Sequence, residues 1–460
     1  GVVLYRLLKA LALQQGIALY WEHIIYACDV DKQYAVVQNQ LTHHRFEVFA
    51  KFLLACDGAH SATCAQVGLR STQKRPFMRF LSVVCEGSIR PYVEDEAMLY
   101  WIYHEALVAC MVNFDSEKKQ VLQIPIMPGF SDLSWTEEKV KRAFAQVCAV
   151  PEHALSFSFT CFPAWTLQAG WTQACDSKQW VYVLGDALHR VLPSGGLGLN
   201  VALADAYNLI WKLCGFLSSG RSRVLLSAYQ QERSREAHRV VEQSIENYHA
   251  FMDIADKMTA SSSLLRDFAR SMGASAVPVQ SIWMQLTRYR HTFWLRDLQQ
   301  AMQPMLAVVQ QHFDGIAMHN ATCYRSEMVF NSSPCQLYAL DILPYRITAG
   351  MRLQNFTVKV GNVCRPIFTM LCYQRWSIFV YRRVDAVQQL INDLTITHRV
   401  YTISPDQPVM DNDCLPLPLL DTQFLIVRPD AFVFSCVDYR DKQSMQALVK
   451  HMQYLSFLAK

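Results

Sequence analysis

A glycine-rich turn set between a strand and a long amphipathic helix most constrains what this chain can fold into. Gln179 to Leu184 is apolar and reads as a strand. It runs into Gly185-Asp186-Ala187-Leu188-His189, then Pro193-Ser194-Gly195-Gly196-Leu197-Gly198-Leu199-Asn200, then Asp205-Ala206-Tyr207-Asn208-Leu209-Ile210-Trp211-Lys212-Leu213. From Asn200 to about Phe216 the apolar positions recur at helical spacing, and Asn200 is of the residue type that serves as an N-cap. A strand that ends at an acid and turns through glycines lets backbone N–H groups approach a ligand closely. The helix start adds partial positive charge at the same place. Asp186, at the strand end, is placed to accept a hydrogen bond from a ligand hydroxyl. Gly185-Asp186 alone would fit any α/β turn, whereas the whole string at this spacing points to a ligand site.

A second strand-to-turn signal precedes it. Phe46 to Leu54 reads as a strand that runs into Asp57-Gly58. Alone this is weak, because Asp-Gly is a common turn. Ahead of it, Leu4, Leu7, Leu8, Leu11 and Ala12 lie at helical spacing up to Gly16, and Ile17 to Tyr20 and Tyr34 to Val37 read as strands. Residues 75–175 are β-rich, with Val83 to Cys85, Met98 to Tyr103, Leu107 to Phe114 and Gln120 to Ile126 as strands and Thr136 to Cys148 as a helix. Helical patterns follow over Leu225 to Gly273 and Phe293 to His312. After about residue 335 come short strands at Phe356 to Val358, Trp376 to Tyr381, Val400 to Ile403, Phe424 to Val427 and Ala431 to Ser435. Helices near Asp385 to Leu394 and Ser444 to Tyr454 accompany them. The class is a mixed α/β (α+β) chain with a separate small α/β unit at its end.

The bulk properties narrow the function classes. With 52% apolar and 18% charged residues, the chain has material for sizeable cores and does not read as disordered. A net charge of +4 with scattered Lys and Arg gives no basic block for nucleic acid. The 15 Cys form no C-x-x-C pair and no zinc-spaced cluster, so no metal site is expected, and most read as small buried apolar residues. Scattered single Cys fit a reducing compartment. The apolar N-terminus carries Arg6 and Lys9 and has no cleavage site after it, so it does not read as a signal peptide. No run is long enough for a membrane span. The expectation is a cytoplasmic protein.

The motifs resemble those of group A flavoprotein monooxygenases, the p-hydroxybenzoate hydroxylase and phenol hydroxylase superfamily. Gly185-Asp186 through Leu213 is similar to that family's G-D motif, and Phe52 to Ser61 to its D-G motif, with Cys64 where the family usually has Arg. The resemblance implies that Asp186 binds the ribityl chain of FAD and that Leu199 and Asn200 offer backbone amides to the isoalloxazine. Gly185, Gly195, Gly196 and Gly198 would shape the loop, and Pro193 would lie beside the flavin. Asp57 and Gly58 would serve FAD and NAD(P)H use. Tyr229 to Arg233 resembles a Y-x-x-E-R segment, and Thr348 to Leu353 with Val427 to Ala431 resembles a C-terminal thioredoxin-like domain. The implied parts are an FAD-binding domain over 1–74 and 176–250, a β-rich substrate domain over 75–175, a helical segment over 251–334 and the thioredoxin-like domain over 335–460.

The implied activity is hydroxylation of a phenolic or other electron-rich aromatic with NAD(P)H and O2, the oxygen being added at flavin C4a. Trp101, Tyr103, Phe114 and Trp165 are candidates for the substrate wall, and no catalytic base is identified. His189 reads as structural. A homodimer is an expectation of the same resemblance. The family's opening G-x-G-x-x-G unit, which cradles the ADP pyrophosphate, is not in this sequence. The expectation is therefore an N-terminally truncated chain that binds FAD poorly or not at all by itself. The other readings are a degenerate relative acting as a binding or dimerisation module, and a flavin reductase or halogenase on the same fold, the latter disfavoured by the absence of a W-x-W-x-I-P signature.

Overall fold

The computed structural model describes residues 2–271 apart from 70, 74–76, 94, 105–106, 127–134, 194–195 and 220–222. Beyond these it describes 322–330, 347–353, 357–360, 363–372, 374–380, 398–402 and 423–457.

The first helix, α1 (Val2–Gln14), forms where the leucine spacing predicts it and stops before Gly16, whose φ of +72° favours glycine. Its apolar residues remain exposed, Leu7 at 63%. Ile17 to Tyr20, expected as a strand, is not one. The strand comes later, as β1 (His23–Asp29), which forms an antiparallel meander with β2 (Tyr34–Asn39) and β3 (Arg45–Phe49). The Asp29 carboxylate accepts the Lys32 N–H at 2.9 Å and closes the β1–β2 turn, so strand pairing outweighs the apolar run at 17–20. The single strand expected over Phe46 to Leu54 is two strands in different sheets. β3 ends at Phe49, and β4 (Leu53–Ala55) pairs with a strand far along the chain. Between them the Trp180 indole N–H donates to the Ala50 carbonyl at 2.9 Å.

After α2 (Ala62–Gln66) and β5 (Thr72–Gln73), the β-rich region forms as expected. It contains β6 (Arg79–Glu86), β7 (Leu99–His104), β8 (Leu107–Asp115), β9 (Lys119–Ile126), β10 (Ser158–Cys161) and β11 (Trp165–Thr166). These make an antiparallel sheet of order β10-β6-β9-β8-β7, with β11 also on β6. The period of two sorts its faces. Leu81, Val83 and Cys85 pack with Leu122 and Ile124 against Val140 and Phe144 of α3 (Glu137–Val147). Ser82, Val84, Val121 and Gln123 lie on the other face, half-buried. Thr136 caps α3 through its hydroxyl, with Glu137 and Glu138 in the first turn, where the helix start favours acids.

β12 (Gly170–Trp171) sits between β5 and β14 (His189–Arg190), and β13 (Val181–Val183) runs beside β4. Then come α4 (Gly198–Ser219) and α5 (Val224–Ser271), which passes residue 250 without a break. The C-terminal unit has a hairpin of β15 (Thr357–Val360) and β16 (Val363–Pro366). It also has a mixed sheet of order β18-β17-β19-β20, built from β17 (Trp376–Val380), β18 (His398–Thr402), β19 (Gln423–Val427) and β20 (Val433–Asp438). β17 and β18 are parallel and the other pairs antiparallel, and α6 (Lys442–Phe457) follows. One apolar cluster joins this unit to the helices, with Trp211 of α4 and Ala228 of α5 against Trp376, Ile378, Phe434 and Leu448. The helices expected at Phe293 to His312 and Asp385 to Leu394 lie outside the described residues. Among the described residues no helix is long and apolar enough to cross a membrane.

Candidate functional site

The two motifs meet at one sheet edge. β4 and β13 are parallel and in register, Leu53 opposite Val181 and Ala55 opposite Val183, and the Leu184 N–H donates to the Ala55 carbonyl at 3.1 Å. Asp57-Gly58 and Gly185-Asp186 therefore leave the carboxyl ends of neighbouring parallel strands. Open α/β sheets bind their ligands in the crevice outside those ends.

On the Gly185 side the backbone must turn sharply. Gly185 has φ +59°, and a Cβ there would already touch the Ala202 methyl at 3.4 Å. Asp186 is exposed and has no protein partner among the described residues. It lies against the start of α4, where a Cβ on Gly198 would sit 3.9 Å from its Oδ1. The helix starts at Gly198, two residues earlier than the sequence suggested, so Asn200 is not the N-cap. Gly196, at φ +62°, completes the turn, and its N–H donates to the Pro193 carbonyl at 3.1 Å. Leu197 then accepts the first intrahelical bond, from Val201 at 3.0 Å. Asn200 sits in the first turn and donates its Nδ2 to the Gly196 carbonyl at 3.3 Å. Gly198, Leu199 and Asn200 precede that first bond, so their N–H groups have no helical acceptor. Leu199 and Pro193 are exposed, and Gly195 lies outside the described residues. Leu192 is buried with Met78, Phe80 and Tyr248.

On the Asp57 side the carboxylate is already engaged. It accepts from the Ser61 hydroxyl at 2.5 Å and the Thr63 N–H at 3.0 Å, while Ser61 caps α2 through the Cys64 N–H. Burial opposes its ionisation, but these hydrogen bonds outweigh that and hold its pKa below the usual carboxylate value. Gly58 has φ +83°, with no atom within 4 Å of where a Cβ would be. Cys64 is buried in α2.

Beneath the turn lies an ionic network that the sequence reading missed. Asp205 is fully buried. Its Oδ2 accepts the Gly185 N–H at 2.9 Å and pairs with His189 Nε2 at 2.8 Å, and its Oδ1 takes Arg233 Nε at 2.7 Å. Arg233 reaches on to the Tyr324 hydroxyl at 2.8 Å. Beside this, Glu232 holds Lys212 at 2.6 Å and Asn208 at 2.9 Å, and it pairs with Arg428 of the C-terminal unit, which also pairs with Asp430. Burial opposes ionisation of Asp205 and Glu232, yet Arg233 with His189 and the Gly185 N–H, and Arg428 with Lys212 and Asn208, outweigh it and keep both carboxylates below their ordinary values. Burial likewise pulls Lys212 down, against the attraction of Glu232. A signal existed: Asp205, Asn208 and Lys212 share one helix face at i, i+3 and i+7, which is a polar stripe where an apolar one is usual. His189 is buried in this network, in keeping with a structural role.

Of the four expected substrate-wall aromatics, the two whose side chains are described, Phe114 and Trp165, lie apart. The side chains of Trp101 and Tyr103 lie outside the described residues. Phe114 is the extra residue of a bulge in β8. It borders a cavity of about 400 Å³ with Arg90, Glu96 and Asn113, and no residue of the 185–200 turn lines that cavity. Trp165 alone lies near the turn, its ring 5.8 Å from Phe80, which packs in one cluster with Leu192.

The geometry fits half of a flavin site: a carboxylate at the strand end without a partner among the described residues, a helix start whose first N–H groups have no helical acceptor, and glycine turns that leave open space. Comparison with known proteins agrees. Residues 3–244 match the FAD binding domain family. A 2,4-dichlorophenol 6-monooxygenase of Delftia acidovorans is 29% identical over 221 residues, 46% of this chain and 36% of that protein. A putative polyketide hydroxylase of Streptomyces coelicolor is 24% identical over 235 residues, 48% of this chain and 37% of that one. The chain thus spans little more than a third of the length of these curated relatives. The crystal structure of the flavin-dependent monooxygenase PieE with FAD and substrate superposes with TM-score 0.72 at 19% identity, over 94% of this chain and 75% of that one. Aklavinone-11 hydroxylase with FAD and aklavinone gives 0.66 at 16% identity, over 94% and 73%. The match covers more than half of the chain, and the protein belongs to the FAD binding domain family.

Proposed function

We propose that this chain is the flavin and substrate part of an FAD-dependent monooxygenase that hydroxylates a phenolic or other electron-rich aromatic ring. The observation that carries the reading is the meeting of Asp57-Gly58 and Gly185-Asp186 at the ends of two parallel strands, beside the start of α4. Bound FAD would supply the redox and oxygen-activating chemistry, with NAD(P)H as reductant and O2 as co-substrate, one oxygen atom entering the ring and the other leaving as water. Asp186 would accept hydrogen bonds from the ribityl hydroxyls. The N–H groups of Gly198, Leu199 and Asn200 would face the isoalloxazine and favour negative charge on it. Asp205 holds the turn in shape through the Gly185 N–H. Leu192, Phe80 and Met78 would exclude water from the ring edge. The C-terminal unit braces α4 and α5 through Arg428. Its strand order supports a thioredoxin-like reading, and without a C-x-x-C pair that unit has no dithiol chemistry.

The test is the visible absorbance of the purified protein titrated with FAD, followed by NAD(P)H oxidation and product analysis with a panel of phenols. A saturable flavin spectrum with a hydroxylated product supports the reading. Flavin-free protein at saturating FAD, or NAD(P)H oxidation that no phenol stimulates, removes it.

A further inference from the structure

On the half-buried face of the large sheet, three side chains form a directed hydrogen-bond chain. The Trp165 indole N–H donates to Ser82 Oγ at 2.9 Å, and the Ser82 hydroxyl donates to Gln123 Oε1 at 2.9 Å. Ser82 stands directly opposite Gln123, and Trp165 opposite Phe80. The indole N–H donates to one lone pair of the serine oxygen. The serine hydroxyl in turn donates to the Gln123 carbonyl oxygen. In this arrangement the amide NH2 is turned away from Ser82, and it has no partner among the described residues. Backbone pairing secures the support, because the Phe162 N–H donates to the Ser82 carbonyl at 2.9 Å.

The location matters as much as the direction. Phe80 and Ser82 share a face, two residues apart on β6. Phe80 touches both Trp165 and the cluster that holds Leu192, next to the flavin turn. A neutral, oriented donor thus stands on the sheet face beside the site proposed above, with apolar and aromatic surface between them.

We infer that Gln123, oriented by Ser82 and Trp165, is a substrate-recognition residue that donates to an oxygen acceptor borne on an aromatic ring, such as a ketone carbonyl or a phenolate. The inference deepens the monooxygenase reading by naming what the substrate must carry. The ligand class is an oxygenated aromatic in preference to a plain hydrocarbon or an aromatic ammonium.

The experiment uses two probes of equal shape, 2-acetylnaphthalene and 2-ethylnaphthalene, with binding to the full chain measured by calorimetry. A single neutral hydrogen bond should give the ketone an advantage of about three- to tenfold. Gln123→Met keeps the volume and should abolish that advantage while leaving the hydrocarbon affinity unchanged. Ser82→Ala releases the amide and should give an intermediate loss. Equal binding of both probes by the unaltered protein, or a ketone advantage that survives Gln123→Met, overturns the assignment. Flavin content is read separately from the visible spectrum. A ketone advantage in protein that never takes up flavin keeps the donor and removes the monooxygenase reading. Flavin-loaded protein without the advantage does the reverse.

Discussion

Asp57-Gly58 and Gly185-Asp186 are the same two residues in opposite order, at the ends of adjacent parallel strands, and they end up chemically opposite. The Asp57 carboxylate is consumed by its own chain, bonded to Ser61 and Thr63 at the start of α2. The Asp186 carboxylate has no partner among the described residues, and the demand for an acceptor at its turn is met from elsewhere, by Asp205 on α4. A turn that must cap itself has nothing left for a ligand. A turn held from beneath by a buried acid can spend its own acid on one. On the proposed reading, Asp186 is the ligand-facing group and Asp57 frames its own turn.

Breaking the support should have the largest effect. Arg233→Met removes the guanidinium from a fully buried Asp205, and an uncompensated buried charge costs about 3–5 kcal/mol. Urea unfolding is the measurement, and an unchanged midpoint would show that the network does not hold the turn. The same acids set the response to pH. Asp205 and Glu232 have folded-state pKa values below their unfolded values of 3.8 and 4.5. The unfolded chain therefore binds more protons just below those values, and the stabilisation is present above about pH 4.5 and lost as the pH falls through the lower folded values. Urea midpoints taken at descending pH should show this loss, and Asp205→Asn should make it shallower.

Next in size is Asp186→Ala. Deleting an exposed, unpartnered acid should leave stability within about 0.5 kcal/mol. Losing a charge-assisted bond to a ribityl hydroxyl should weaken FAD binding by about ten- to a hundredfold. Flavin fluorescence titration checks it, and a change confined to stability would reverse the roles of the two acids. Asp57→Ala should do the opposite, costing about 1 kcal/mol through the lost hydrogen bonds to Ser61 and the first turn of α2, with little effect on FAD affinity. Smallest is Gly58→Ala, which forces a side chain to φ +83° in open space, at a cost of about 1 kcal/mol or less in thermal melts.

Much of this was legible in the sequence because it is local. The glycines that need positive φ, the acid at the strand end, the alternation in β6 and β9 and the Thr136 cap all follow from neighbours in the chain. What was not legible depends on distant partners. Phe46 to Leu54 reads as one strand until Trp180 and β13 claim part of it. Asn200 reads as a cap until the turn at Gly196 starts the helix early. Asp205, Glu232, Arg233 and Arg428 lie far apart in sequence, and only packing turns them into one network. The helix α4 misleads for the same reason. It buries Asp205, Asn208 and Lys212 while exposing Leu203, Tyr207 and Ile210, the reverse of what apolar periodicity assumes.

The parallel pairing of β4 with β13 also governs when the site can exist during folding. Residue 53 meets residue 181, and all of the large sheet lies between them in the chain. Local hairpins such as β8–β9 close short loops and can form quickly, whereas this pairing must wait until the intervening chain has collapsed. The ligand crevice should therefore be among the last parts of the molecule to acquire protection in pulsed hydrogen exchange. A flavin added at the start of refolding should leave the early steps unaltered and slow only the unfolding of the finished protein.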